Sequence, residues 1–397
     1  MKVLVVNAGS SSLKFMVFDQ QGETYTMLAK GNLECIGLDE PNLIYQRDDE
    51  AKTEEPVEAA DHADALEILC RKLVDPACGV LQSLEEVEAI GHRVVHGGET
   101  FTQPVVVDAE VKAKIDACAA LAPLHNPPNL LGITACEKVF PGIPNVAVFD
   151  TAFHQTMEPR AYLYAIPRAL YEEHGIRKYG FHGTSHKYVY AAACQYLGLD
   201  PAKAKIVTCH LGNGCSLAAV NGGKVVDTTM GMTPLAGLMM GTRSGDLDPG
   251  VLIYMIKDLG MTPEEVNAIL NKQSGLLGLG ERSDMRAIIE AKGTDPQAQQ
   301  AFESFVHRLT TYVGAYYALL GGADAVVLTG GIGENSLPTR EALVHSLNAL
   351  GCHLKDGAND VMGEARVIST EESSLTALVM PTNEELMIAT ETVDLIG

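Results

Sequence analysis

Apolar runs broken by short polar turns set the rhythm of the first part of the chain. Val3 to Val6 enters the stretch Asn7-Ala-Gly-Ser-Ser-Ser-Leu-Lys14 and Phe15 to Phe18 leaves it, so two strands clamp a Gly/Ser turn. Asp19-Gln-Gln-Gly22 turns again into a strand from Thr24 to Ala29, which completes an antiparallel meander. Beyond a charged, Pro-dotted stretch of strand and loop (34–58), Asp61 to Leu73 places Ala65, Leu66, Leu69 and Leu73 at helical spacing behind Asp61 as N-cap. Ala89 to Val95 reads as a buried strand breaking into His96-Gly-Gly98, and a helix follows over Asp108 to Leu121. Pro123, Pro127 and Pro128 then forbid regular structure until a helix from Asn129 to Val139, and Asn145 to Phe149 is a buried strand ending on Asp150.

The rhythm restarts at Lys205. Ile206 to Leu211 is an apolar strand, Gly212-Asn-Gly214 a small turn, Cys215 to Val220 a second strand, and Asn221-Gly-Gly223 leads into a third, Lys224 to Thr228. Helices are expected over Pro249 to Lys257, over Thr262 to Leu270 behind a Thr-Pro cap, and over Ala298 to Leu320. The last of these turns Phe302, Phe305, Val306, Leu309, Val313 and Tyr317 to a core. A buried strand from Ala323 feeds the turn Gly330-Gly-Ile-Gly-Glu-Asn335 and a helix from about Leu337, and Leu378-Val-Met-Pro381 runs through a loop into a final helix. A meander played twice implies an α/β chain of two related domains, 1–150 plus 385–397 and 151–384, with a phosphate chain gripped in the cleft between their turns.

Composition narrows the function. A chain of 397 residues with 46% apolar and 20% charged residues is that of a folded globular protein, and its length predicts two domains. The formal net charge of −22 argues against a nucleic-acid binder or a protein of anionic membranes. It also makes arginines beside glycines, Arg93 and Arg243, conspicuous as anion sites. Nine cysteines without a Cys-x-x-Cys pair disfavour zinc ribbons, redox dithiols and a disulfide framework, and place the chain in the cytoplasm. After Met1-Lys2 only four apolar residues run up to Asn7, too few for a signal-peptide core, and no later run approaches a membrane span.

The turn at Asn7 to Lys14 suits phosphate through its small residues, hydroxyls, free N–H groups and Lys14, although any hairpin turn uses Gly and Ser. Strand, glycine loop and helix at 325–337 is a nucleotide-binding grammar, but its letters match neither the Walker pattern nor Gly-x-Gly-x-x-Gly. Together with Gly91-His-Arg-Val-Val-His-Gly-Gly98, Phe181-His-Gly-Thr-Ser-His186, His210-Leu-Gly-Asn-Gly214 and Met240-Gly-Thr-Arg-Ser-Gly245, these blocks run in order over nearly the whole chain. The set resembles the acetokinase family of the actin, chaperone and sugar-kinase ATPase superfamily. The resemblance implies two duplicated ribonuclease H-like, actin-like ATPase domains with an interdomain active-site cleft, and a homodimer formed through the second half.

It also implies an enzyme that reversibly moves a phosphoryl group from ATP to acetate, giving ADP and acetyl phosphate by direct in-line transfer with Mg²⁺, Mn²⁺ being an alternative. Acetate is ionised at pH 7 and needs no general base, so positioning and electrostatics carry the reaction. By resemblance Arg93 binds the carboxylate, Arg243 bridges it to the γ-phosphate, His182 hydrogen-bonds the transferring group, and Asp150 and Glu384, with Asn7, hold the metal or its waters. Val95, Leu124, Phe181 and Pro234 resemble the pocket around the acetate methyl. Asn7, Ser10, Ser12, Lys14, His125, His210, Asn213 and Gly214 resemble phosphate positions, with Lys14 lying toward the second strand. Asp284, Met285, Arg286, Gly331, Gly333 and Asn335 resemble the adenosine site. Leu279-Gly-Glu-Arg282 departs from the family, where a Ser-Gly pair is usual, and leaves contacts to the base open there.

Each role has a plain alternative. Arg243 could be a surface arginine, His182 a buried hydrogen-bonded histidine or, with His186, a metal ligand, and His125 a partner of its prolines. Thr382-x-x-Glu385 could be a capping box, which would make the acidic pair structural. Val95 favours acetate, whereas a propionate-preferring relative would carry a smaller residue there; one methylene is worth ~1–3 kcal/mol. A rival reading is an ATP-binding switch without small-acid turnover, and the arginine pair speaks against it.

Overall fold

The computed structural model describes every residue except Asp49 and Leu124. The chain forms two compact units, Met1–Phe153 with Asn383–Gly397, and His154–Thr382. These limits differ by a few residues from 1–150 plus 385–397 and 151–384, and they put Glu384 in the first unit. The physical reason is the helix that Glu384 opens, Glu384–Ile396, whose Ile388 and Ala389 pack on the first sheet.

In the first unit the strands are β1 (Lys2–Ala8), β2 (Leu13–Gln21), β3 (Thr24–Glu34), β4 (Asn42–Arg47), β5 (Thr53–Pro56), β6 (Val87–Val94), β7 (Val105–Val106) and β8 (Asn145–Phe149), in the order β5-β4-β3-β2-β1-β6-β8-β7. β1 is antiparallel to β2 and parallel to β6, and β6 is parallel to β8. Both sheet faces are covered, which explains the unbroken apolar runs. Leu4 and Val6 face a core shared with Leu66 and Leu69 of His62–Leu73, whereas Val3 and Val5 face Ile388 and Ala389. Burying each such Leu or Val stabilises the fold by about 1.5–3 kcal/mol relative to exposure. Asp61 caps His62–Leu73 by accepting from Ala63 N and Asp64 N, as its sequence position predicts.

The second unit holds β9 (Lys205–Leu211), β10 (Cys215–Asn221), β11 (Lys224–Thr228), β12 (Ala325–Thr329), β13 (Arg366–Val367) and β14 (Thr376–Val379), ordered β11-β10-β9-β12-β14-β13. β9 is antiparallel to β10 and parallel to β12, which is parallel to β14. The series β11-β10-β9-β12-β14 therefore repeats β3-β2-β1-β6-β8 in order and direction, the duplicated ribonuclease H-like plan of actin-like ATPases. Helix Pro296–Leu319 buries Phe302, Phe305, Leu309 and Val313, but it is Tyr316 and not Tyr317 that is fully buried.

Three local expectations change. Pro127 and Pro128 lie in the first turn of a helix, Asn126–Val139, where a missing N–H costs nothing. Gly330–Asn335 is itself a short helix directly after β12. The last helix is capped by Asn383, whose side chain accepts from Leu386 N; Thr382 N instead donates to Glu334, so the Thr382/Glu385 box does not form.

Candidate active site

The first unit gathers its charged candidates at the carboxyl ends of β6 and β8. The Arg93 guanidinium donates to Asp150 through Nε (3.2 and 3.1 Å to Oδ1 and Oδ2) and Nη2 (2.6 Å to Oδ2), and the Asp150 side chain is 1% exposed. Burial works against the Arg93 charge, but Asp150, Glu384 and Glu385 hold its pKa above the ordinary range. Glu384, at the first turn of its helix, is pushed up to about 7 by burial and then by Asp150 and Glu385, against the pull of Arg93 and Lys14. The structure thus brings Arg93, Asp150, Glu384 and the exposed Lys14 within electrostatic reach of one another.

The Ser turn is fixed from both sides: Gly9 N donates to Ser12 O, and His62 Nε2 donates to Gly9 O at 2.7 Å. Asn7 pairs with Lys14 at the base of the hairpin, and Ser10 at its tip is exposed. Val95 is 5% exposed, its N–H bound by Asn129 Oδ1, and His125 is an exposed residue at the N-terminus of Asn126–Val139. Leu124 lies outside the described residues.

In the second unit, the β9–β10 turn and the loop carrying Arg243 meet. Gly241 N donates to Asn213 O, and Arg243 Nη1 donates to Pro234 O at 2.5 Å. A β-carbon on Gly214 would lie 2.8 Å from Arg243 Nη2, so glycine here is what lets the guanidinium close in, while His182 Cε1, 3.5 Å from the same point, stands at ordinary contact distance. Burial lowers the Arg243 pKa, and among the described residues no carboxylate pairs with it. His182 and His210 stack with ring centroids 4.3 Å apart, the Nδ1 of each held by a serine, Ser216 and Ser185 respectively. Phe181 is buried, its carbonyl accepting from His154 Nε2.

The third group lines the end of β12. Gly330 adopts φ 75°, with Leu211 O only 2.8 Å from where a β-carbon would sit, so the chain can enter Gly330–Asn335 only as glycine. Gly331 is open on its Cα side, Gly333 is buried, and Asn335 Nδ2 donates to Gly331 O. Asp284 caps Met285–Ala291 and forms an ion pair with the exposed Arg286, while Met285 is buried. Arg282 in the departing segment folds onto Asp295 and Gly280 O.

Among the described residues, no group of three or more His, Cys, Asp or Glu side chains is arranged to hold a metal ion. His182 and His186 in particular share Ser216 between them, which is not a metal-ligand arrangement.

A family model described as the acetokinase family matches residues 2–390. The chain belongs to the acetokinase family. An acetate kinase from Clostridium novyi (strain NT) is 49% identical over 398 residues, covering 100% of this chain and 98% of the relative. The crystal structure of Porphyromonas gingivalis acetate kinase superposes with a TM-score of 0.95 at 45% identity over all of both chains. A propionate kinase from Francisella tularensis subsp. tularensis SCHU S4 gives 0.92 at 44%, again over all of both chains.

Several residues that shape this acetokinase site lie outside the motif blocks. Asn126 and Asn129 use their side chains to bind the backbone of His96 and Val95, and Asn129 also reaches Ala8 O, tying the end of β6 to the end of β1. Their signal was the Asn-Pro-Pro-Asn spacing, which puts two amides one turn apart on a helix start. Glu334 accepts from Thr329, Gly330 N and Thr382 N, and the buried Arg340 donates to Gly333 O and Glu334 O and, beyond the loop, to Asn359 and Val361 O. Nothing local in the sequence distinguishes Arg340 from a surface arginine of its helix.

Proposed function

We propose that this acetokinase transfers the γ-phosphoryl group of ATP reversibly to acetate, and that the two charged clusters serve that one transfer. The observation that carries the reading is Arg243: a half-buried guanidinium with, among the described residues, no carboxylate of its own, beside two stacked imidazoles. In an acidic chain such a cation is poised for an anionic ligand.

In this reading Arg93 orients the acetate carboxylate and Arg243 neutralises charge on the carboxylate and the transferring phosphoryl group. His182 donates a hydrogen bond to that group, and the Asn7–Ser12 and His210–Gly214 turns offer N–H groups to the phosphates. Gly331, Gly333 and Asn335, with Asp284 and Arg286 opposite, receive the adenosine. No side chain abstracts a proton, since the nucleophile is already an anion.

Asp150 and Glu384 fit a hard cation that takes one or two carboxylates and keeps its remaining places for water and phosphate. With Asn7 they would hold Mg²⁺, which would neutralise phosphate charge. Val95 closes the pocket enough to favour acetate over propionate. Helix Pro249–Lys257 buries none of its residues and exposes Val251, Ile253, Tyr254 and Ile256, the surface through which a homodimer would form. The cytoplasm, implied by cysteine usage, supplies both substrates.

The test is hydroxylamine trapping with ATP, Mg²⁺ and a short acid. Acetohydroxamate is expected, with a higher kcat/KM for acetate than for propionate. No hydroxamate from acetate, propionate or butyrate would sink the reading.

A further inference from the structure

Behind His182 runs a chain of buried hydrogen bonds. Ser216 Oγ lies 2.8 Å from His182 Nδ1 and 2.8 Å from His186 Nε2, and His186 Nδ1 lies 2.7 Å from Thr208 Oγ1. The fold places all four. His182, in the left-handed conformation at φ 56°, caps Gly183–Leu197, and His186 follows one turn later. Pairing of β9 with β10 sets Thr208 opposite Ala218 and Ser216 opposite His210. Ser216, His186 and Thr208 are each 0% exposed.

Proton counting orders the chain. A hydroxyl has one hydrogen, and among the described residues the buried Ser216 hydroxyl meets no acceptor but the two imidazoles, so it donates to one and accepts from the other. If it donates to His186, then His186 must donate to Thr208, and among the described residues the acceptor left for the Thr208 hydrogen is Ala218 O at 3.4 Å, a poor hydrogen bond. If instead Thr208 donates to His186 Nδ1 at 2.7 Å, then His186 Nε2–H donates to Ser216, and Ser216 donates to His182 Nδ1. Every short bond is then satisfied with all groups neutral. Burial, followed by the neighbouring His154 and His210, keeps His186 neutral.

We propose that Thr208, His186 and Ser216 form a polarised relay that fixes neutral His182 as its Nε2–H tautomer. The inference rests on the proposed function, in which His182 meets the transferring phosphoryl group. With Nδ1 occupied as an acceptor, the ring gives a phosphoryl oxygen an N–H without first taking up a proton. The opposite tautomer would aim a lone pair at an anion. Neutrality also suits the surroundings, because His210 stacks on the ring and the Arg243 guanidinium approaches the same glycine. Ser216, His186 and Thr208 are positioning residues, since they act through His182.

Ring ¹⁵N correlation spectra of the full-length chain with labelled histidine, at pH 7.5, read the tautomers directly, and His182→Asn assigns the His182 signals. The Nε2–H pattern is expected for both His182 and His186; a His182 ring protonated on Nδ1 overturns the relay. In Thr208→Val the His182 signals are expected to shift toward a tautomer mixture. kcat should fall about tenfold, as when the partner behind a positioned histidine is lost, with KM for ATP and acetate nearly unchanged. Thr208→Ser, which restores the hydroxyl, should recover most of kcat. Unchanged kcat and unchanged His182 shifts in Thr208→Val would equally overturn the proposal. Because the spectra are taken on the resting protein, absence of acetate turnover would count against the function and not the relay.

Discussion

Two arginines in the same acidic chain are treated in opposite ways. Arg93 is clasped by the buried carboxylate of Asp150 and lies near Glu384, whereas Arg243 donates to a proline carbonyl and pairs, among the described residues, with no carboxylate. A compensated guanidinium is already neutralised and its pair supports the fold. An uncompensated one keeps its charge for a ligand and costs stability through desolvation until that ligand arrives. The first cluster therefore has the makings of a scaffold that orients a carboxylate and a cation. The second has the makings of a receptor for moving negative charge.

The largest expected effect falls on the second cluster. Arg243→Ala should lower kcat about 10²–10³-fold in the hydroxamate assay, the scale of losing a group that stabilises developing charge. A kcat within about twofold of the native value would remove Arg243 from the chemistry. On the first cluster the expected damage is to folding as well. Asp150→Asn strands a guanidinium that is 23% exposed, so the cost should approach about 3 kcal/mol, the low end for a broken buried pair, measured by urea unfolding.

Acid should weaken both units through their buried histidines. Burial depresses His92 and His96 to about 4 and His186 well below its ordinary 6.5, so all three are neutral in the fold. The unfolded chain takes up protons near 6.5 and the native state does not, so stability is full above that pH and falls as pH drops from 6.5 to about 4. Urea midpoints from pH 7.5 to 4.5 check this, and His92→Asn or His96→Asn should flatten the decline. The smallest expected effect is Asn383→Ala, which removes the cap of Glu384–Ile396 and should cost about 1 kcal/mol, with some loss of kcat because Glu384 sits on that first turn.

Much of this was legible in the sequence because the meanders carry local signals. Apolar runs, Gly/Ser turns and Asn-Gly-Gly gave strands, order and duplication. The prolines at 127 and 128 misled because a helix's first turn tolerates what its interior does not. Asn383 took the capping role that spacing suggested for Thr382, because Thr382 N is drawn to Glu334, which is distant in sequence. The candidate residues were legible as blocks of letters, but their electrostatic states were not. That Arg93 has a carboxylate and Arg243, among the described residues, has none depends on which strand ends are adjacent, and so does the seating of Ser216 between two histidines.

The contrast between the arginines is tested most directly by urea unfolding of Arg243→Ala beside Asp150→Asn. The expected result is that Arg243→Ala unfolds within about 0.5 kcal/mol of the native chain, or slightly above it, while Asp150→Asn loses several times as much. Equal losses of stability in the two variants would contradict the account, because Arg243 would then be holding the fold and not waiting for an anion.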